Sequence, residues 1–309
     1  LKRAWEKIEE GKEQAIFDAP RFTPFIITGR VEVSPTSIIL TLQPKHWHST
    51  EPKDDPYKDY WRKGIWSVEF KQPELQIARS YTPLPPSSHN TYTGELRFLI
   101  RREHKGEMSG YLYGLKVGQE LGLRGPHSEF ELPSQVKEVI FLAGGTGIAP
   151  ALQVAHTLLK RRTEDSDQNS SMPRMHIVWA NRRREDCIGG KNNEASSSSL
   201  QTSVEGKSPI VLDLQDLQRT YAGKFSVEYL VDEEGQILDQ KRITQLVQAG
   251  SGSAPMDGSE KLLFVSGPEG FVNFFAGPKV WEGGNSAGQG TVGGLFGRIG
   301  LEGWRVWKL

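Results

Sequence analysis

The chain has 309 residues, 36% of them apolar, with 38 basic and 38 acidic side chains. That length favours two domains over one, and the balanced charge argues against a nucleic-acid partner, whose phosphates call for a basic surface. The single cysteine, Cys187, excludes an internal disulfide and a thiolate zinc site, and no apolar run approaches the roughly 20 residues of a membrane-spanning helix.

Residues 1–20 are charged and helix-prone, with Trp5, Ile8 and Ala15 widely spaced. They fit a leader helix on the surface and equally the stub that follows a presequence or anchor. Residues 21–135 are β-rich. Phe25–Ile27, Ser37–Leu42, Trp66–Phe70, Leu75–Ala78, Glu95–Ile100 and Glu120–Leu123 read as strands. Pro and Gly punctuate them, which predicts a small antiparallel barrel with one helix, Ser109–Leu115. Residues 136–309 alternate differently. The continuous apolar run Val139–Leu142 predicts a strand covered on both faces. A helix from Ala149 to about Arg161 follows, then strand His176–Trp179, helix Ile210–Arg219 and strand Phe225–Val231. Helix Gln240–Gln248, strand Leu262–Val265, helix Gly270–Phe275 and strand Trp304–Trp307 complete a doubly wound parallel α/β domain. Polar, serine- and glycine-rich stretches at 163–171, 189–208 and 250–258 read as mobile insertions without chemistry.

Four motifs carry chemical content. Gly144-Gly145-Thr146-Gly147 lies between a buried strand and a helix that includes Pro150. Glycines there admit a positive φ and let a ligand approach the backbone, and the helix start attracts an anion such as a pyrophosphate. The spacing departs from G-x-G-x-x-G, so a plain Rossmann dehydrogenase is not implied. In Arg79-Ser80-Tyr81-Thr82 the arginine offers a fork for phosphate. Tyr81 offers a flat face for a planar ring, and Thr82 a hydroxyl for a ring nitrogen. The same four residues also fit a surface cation and a core aromatic. In Gly106-Glu107-Met108-Ser109-Gly110, Ser109 is a natural N-cap, and its hydroxyl with the amides behind it would form a second anion site. The loop Ser266-Gly267-Pro268 ends a strand on the edge of the sheet where the Gly144 loop lies, and should face it across a nucleotide. His46 and His48 lack ligands at metal spacing, and Cys187 lacks a partner that would make it a nucleophile. Arg182-Arg183-Arg184 fits a reader of a 2′-phosphate and equally a solvated charge run.

Together these motifs resemble the ferredoxin–NADP reductase superfamily on its NADH–cytochrome b5 reductase branch. The stretch 106–112 through Leu123-Arg124-Gly125-Pro126 is especially similar to that branch. The resemblance implies an FR-type FAD-binding barrel followed by an NADH- or NADPH-binding domain. Arg79, Gly106, Met108 and Ser109 would hold the FAD diphosphate, with Ser80 in the same motif. Tyr81 would lie near the flavin ring, and Thr82 near its N5. Gly144, Gly145, Thr146, Gly147 and Pro150, with Gly267 and Pro268, would hold the nicotinamide nucleotide. The family's C-terminal loop usually begins with a cysteine that places the nicotinamide, and Ser266 stands there. Residues 66–74, 79–85 and 292–309 further resemble the fungal cytochrome c mitochondrial import factor, a flavoprotein family of the mitochondrial inner membrane facing the intermembrane space. That implies electron transfer to haem or a haem protein, cytochrome c or its haem-attachment machinery, with membrane contact through a segment absent from this chain. Ser266 and the insertions leave open a degenerate FAD-binding assembly module with little NAD(P)H activity.

Overall fold

Alternating apolar and polar residues build the first half of the chain into one antiparallel sheet. A computed structural model describes residues 16, 19–46, 55–86, 94–164, 172–192, 206–249, 260–281 and 287–309. The sheet contains β1 (Thr23–Ser34), β2 (Ser37–Pro44), β3 (Gly64–Gln72), β4 (Ile77–Tyr81), β5 (Pro83–Leu84), β6 (Leu96–Arg101) and β7 (Glu120–Glu131). Their order is β4-β3-β7-β1-β2-β6-β5. β4 and β5 occupy opposite edges, yet Thr82 alone separates them along the chain. The two edges therefore meet at Thr82, and the sheet curls into a barrel. Phe25, Ile38, Phe70, Phe98, Leu112 and Leu123 fill it. Two short helices, α1 (Lys58–Lys63) and α2 (Glu107–Gly114), lie against the barrel.

The second half is a parallel sheet in the order β10-β9-β8-β11-β14. Its strands are β8 (Val136–Gly144), β9 (Arg174–Asn181), β10 (Phe225–Val231), β11 (Glu260–Ser266) and β14 (Trp304–Lys308). Helices α3 (Ile148–Glu164), α4 (Pro209–Thr220), α5 (Gln240–Ala249) and α6 (Glu269–Ala276) connect or flank them. A small hairpin, β12 (Val280–Trp281) with β13 (Ala287–Gly288), precedes β14. Residues from α3 and α4 pack on one face, and residues from α5 and α6 on the other, the doubly wound arrangement. Barrel residues Val33, Ile39, Leu84 and Leu99 belong to the same apolar cluster as Phe141, Ile148 and Leu152. The core therefore runs without a break from one sheet to the other, which favours a fixed domain arrangement.

Several expected boundaries move, each for a local reason. Leu75 and Gln76 belong to the β3–β4 turn, where Leu75 N–H is held by the Gln72 side chain and Gln76 has φ +53°, so the strand begins at Ile77. β7 continues past Leu123 because Gly125-Pro126 is absorbed in a register shift opposite β3, a place where proline is tolerated in a sheet. α2 begins at Glu107, with Gly106 as its N-cap, rather than at Ser109. Of the expected insertions, 165–171, 193–205 and 250–258 lie outside the described residues, as do His48 and residues 1–15.

Two ion pairs tie the halves together. Arg101 on β6 reaches Asp186 (3.1 Å), whose other oxygen accepts from Ser34 Oγ (2.9 Å). Arg97 reaches Asp213 on α4 (3.5 Å). Asp186 is 7% exposed, and removing one partner of a buried pair strands the other charge. Asp186→Ala is therefore expected to lower stability by about 2–4 kcal/mol, read as a lower urea midpoint. An unchanged midpoint would show that the pair contributes nothing to domain docking.

Candidate functional site

The barrel contributes the β4 edge and the start of α2. Arg79 and Ser80 are exposed on β4, and Arg79 Nη1 donates to the Ala78 carbonyl (2.8 Å). Tyr81, at the end of β4, stacks on Phe70 with centroids 4.9 Å apart and planes 21° apart. Burial first, with Glu103 adding and Arg79 opposing, pushes its hydroxyl up to about 12. The ring thus stays neutral at physiological pH, suited to lie beside an uncharged aromatic system. Thr82 follows at the closing seam, half-buried.

At α2 the helix geometry leaves the first amides, Glu107 to Ser109, without intrahelical carbonyls. The Ser109 hydroxyl does not join them, contrary to the expectation from its N-cap composition. Ser109 Oγ turns inward, accepting from Glu103 N–H (3.1 Å) and donating to the Gly106 carbonyl (3.2 Å). Its role is to fold the 103–106 loop against the helix. Gly106 is required there, since a Cβ would stand 2.4 Å from Ser109 Oγ. Met108 is 4% exposed and belongs to the barrel core, which leaves only its backbone amide at the helix start.

The parallel sheet contributes two loops at its carboxyl edge. β8 ends at Gly144, and a tight turn over Gly145–Gly147 leads into α3. Gly145 has φ +54°, a conformation costly for residues bearing a Cβ. Gly147 lies against β11: a Cβ there would be 2.3 Å from the Ser266 carbonyl oxygen. Gly267 answers from the other side, where a Cβ would be 3.0 Å from Gly144 Cα. The Gly144 and Ser266 loops are thus in backbone contact. Ser266 is buried at the end of β11, and Gly267 is half-exposed. Pro268 is the N-cap of α6, and Pro150 is buried in the first turn of α3.

Between the two sheets lies a cleft lined by Ser37, Arg101, Gly145, Thr146, Asn181 and Asp186. Trp179 Nε1 donates to the Gly145 carbonyl across its floor (2.9 Å). Asn181, 3% exposed, has neither its side-chain oxygen nor its nitrogen hydrogen-bonded. Buried polar atoms normally carry partners, so the cleft offers an amide ready to meet a polar group. With a positive-φ glycine, a half-exposed Thr146 and a helix start beside it, this donor set suits a small polar or anionic group; the cleft itself has a volume of about 10 Å³, and Arg79, Tyr81, Thr82 and Ser266 are not among its lining. Sequence reasoning missed Asn181, Arg101 and Asp186. The signal for Asn181 was its position at the carboxyl end of a strand next to the one that carries the glycine loop.

Two sequence readings are resolved. Arg184 is committed to Glu234, with paired contacts from Nε (2.7 Å) and Nη2 (2.5 Å), and its amide donates to Glu233 (2.7 Å). Arg182 and Arg183 remain exposed. Cys187 is fully buried in the apolar core, and burial pushes its thiol up to about 11 against the pull of Arg184. It is a packing residue.

Residues 65–132 match the oxidoreductase FAD-binding domain family, and residues 141–203 match the oxidoreductase NAD-binding domain family. The chain is accordingly a two-domain, pyridine nucleotide-dependent flavoprotein reductase that uses FAD and NAD(P)H. It is similar to NADH-cytochrome b5 reductase 2 of Kluyveromyces lactis, 24% identical over 83% of this chain and 76% of that protein. It is also similar to the protein of the same name from Candida albicans, 28% identical over 75% of this chain and 66% of that protein. It spans less than two thirds of further relatives of that name, 63% of the Phaeosphaeria nodorum protein for instance. Among solved structures, the cytochrome b5 reductase domain of Ulva prolifera nitrate reductase shares the fold. Its TM-score is 0.56 at 17% identity, covering 84% of this chain and 92% of that one. The ferredoxin–NADP+ reductase of Plasmodium falciparum does so with a TM-score of 0.53 at 15% identity, covering 82% and 90%.

The contact between Gly147 and Ser266 makes a direct prediction. Gly147→Ala should force the two loops apart and reduce stability by about 1–3 kcal/mol, as overpacking does. Dinucleotide affinity should fall while FAD stays bound, measured by calorimetric titration. Wild-type nucleotide affinity in this variant would place the nucleotide elsewhere.

Proposed function

We propose that this protein carries electrons from NADH through FAD to a b5-type haem protein. The observation that carries this reading is the joining, through one continuous apolar core, of a barrel that matches FAD-binding domains to a parallel sheet that matches NAD-binding domains and ends in a glycine turn and helix start. When bound, FAD takes up a pair of electrons as hydride from the nicotinamide and releases them one at a time to haem. The protein's own task is placement. Arg79 and the α2 amides would hold the diphosphate, Tyr81 would lie beside the flavin ring, and Thr82 would supply a hydroxyl for its N5. Gly144, Gly145, Thr146 and Gly147 admit the nucleotide, and Ser266, Gly267 and Pro268 close over its nicotinamide end. No side chain has to move a proton for this step, so positioning supplies most of the acceleration.

The nucleotide is NADH rather than NADPH in this reading. Arg184 is already neutralised by Glu234, and Asp232, Glu233 and Glu234 form an acidic cluster at the carboxyl end of β10. A 2′-phosphate near that cluster meets like charge. The relatives named NADH-cytochrome b5 reductase 2 support the same preference. The finer resemblance to the cytochrome c import factor family supports a role in haem attachment to cytochrome c, at the mitochondrial inner membrane facing the intermembrane space.

Purified protein should be yellow, and its flavin absorbance should bleach anaerobically with NADH faster than with NADPH. Binding without bleaching would support an assembly module instead. Arg79→Ala should weaken FAD affinity about 10- to 100-fold, the loss of one charge-assisted phosphate contact, and Tyr81→Ala should shift the flavin spectrum. Wild-type affinity and spectrum in both variants would remove the flavin from this edge. A separate expectation concerns the serine at 266: Ser266→Cys should speed flavin reduction, and an unchanged rate would mean that position 266 does not touch the nicotinamide.

A further inference from the structure

We propose that Gln153 is a positioning residue for hydride transfer, one that fixes the distance between the flavin seat on the barrel and the nicotinamide seat on the parallel sheet. This rests on the reductase reading above. Gln153 lies on α3 and is fully buried. Its Oε1 accepts from the Trp66 backbone N–H (3.0 Å), and its Nε2 donates to the Pro83 carbonyl (2.9 Å). Both partners belong to the barrel, on β3 and β5.

The barrel's register explains why those two groups meet a side chain rather than a neighbouring strand. β3 and β4 pair as far as Val68 with Tyr81. Continued by two residues, the same register would set Trp66 opposite Pro83. Instead the chain leaves β3 at Thr82 and joins β6, where Pro83 pairs with Phe98. The closing seam thus leaves one donor and one acceptor facing a gap, and the Gln153 amide enters it as a peptide group would. Left empty, that gap would strand two buried backbone groups at about 1–3 kcal/mol each.

What makes this more than a plug is what each end of α3 touches. Pro83 directly follows Thr82, so the Gln153 bond holds the Pro83–Leu84 peptide, one residue beyond the position assigned to flavin N5. The same helix follows Gly147, which is packed on the Ser266 carbonyl. From Gly147 to Gln153 the rise is about 9 Å along the axis at helical geometry. Thr157, one turn further on, donates to the Trp61 carbonyl (2.7 Å) and adds a second point of attachment. The apolar contacts between the domains hold them together but are non-directional and do not themselves set an exact register. The two hydrogen-bonding side chains on one face of α3 do. Reacting atoms must stand about 3–3.5 Å apart, and a 1 Å misplacement can cost about 100-fold in rate.

The test is anaerobic rapid mixing of FAD-loaded protein with saturating NADH. Gln153→Leu should lower the limiting rate of flavin reduction about 10- to 100-fold, with FAD affinity and the NADH dissociation constant within about twofold of wild type. Gln153→Glu keeps the acceptor for Trp66 N–H but donates to Pro83 only when protonated. Its reduction rate should therefore rise as pH falls through the carboxyl pKa, while the wild-type rate does not. Wild-type limiting rates in either variant, or a pH-independent Gln153→Glu, would overturn the proposal. So would a loss confined to thermal stability or FAD retention, failure of both variants to fold included, because Gln153 would then be a structural plug alone. No reduction of the wild-type flavin by NADH would instead overturn the reductase reading itself.

Discussion

The closing of the barrel at Thr82 is the constraint from which the rest of the architecture follows. A seven-stranded sheet whose sequential strands β4 and β5 lie at opposite edges can exist only if those edges meet. The residue between them must change hydrogen-bonding partner from β3 to β6. Such a switch interrupts the ladder, and an interrupted ladder inside a protein needs polar partners from elsewhere. Here they come from the other domain, through Gln153. The hydrogen bonds that complete the barrel's seam are therefore also bonds between the two domains, made from the helix that follows the glycine turn.

The second domain shows a complementary economy. Its ligand-binding end is made dense by glycines: Gly144, Gly147 and Gly267 allow β8, α3 and β11 to approach to backbone contact. Any Cβ at Gly147 would collide with the strand that carries Ser266. The space saved lies directly before the helix start, where unpaired amides and the helix dipole attract negative charge. The aromatic residues assist from below: Trp179 holds the Gly145 carbonyl, and the Phe271 ring lies 3.0 Å from where a Gly144 Cβ would stand. These contacts restrict the loop's backbone, and a restricted loop loses less entropy on binding than a free one.

The sequence made some of this legible and concealed the rest, for identifiable reasons. Val139–Leu142 and the glycines after it are contiguous, so a buried strand, its turn and its helix could be read directly. The same holds for the strands whose apolar residues alternate. Pro83-Leu84 was not legible as a strand, because two residues carry no periodicity and proline argues against a ladder. Gly125-Pro126 looked like a break and is a register shift within β7. Ser109 has the composition of an N-cap, but the helix starts two residues earlier because Gly106, without a Cβ, lets the loop fold onto Ser109 Oγ. Arg101 and Asp186 are 85 residues apart, and pairing between distant charges leaves no local trace. Gln153 left a faint one: a polar residue between Leu152 and Val154, in a helix stretch whose other members at 151–155 are all apolar. Such a position is unfavourable unless a buried partner waits for it.

Two fastenings of different character thus hold the same interface. Arg101 with Asp186 is a charged pair, with the arginine side chain 19% exposed. Charges at a partly wetted edge tolerate small shifts, since the attraction falls gradually with distance. Gln153 is a neutral amide sealed from solvent, and hydrogen bonds of that kind weaken steeply as their geometry departs from linear. The charged pair is suited to bringing the domains together, the amide to setting where they stop. Loss of the first should loosen the molecule as a whole. Loss of the second should cost stability through the two stranded backbone groups and, in molecules that stay folded, leave the two seats misaligned by a fraction of an ångström, which hydride transfer registers strongly.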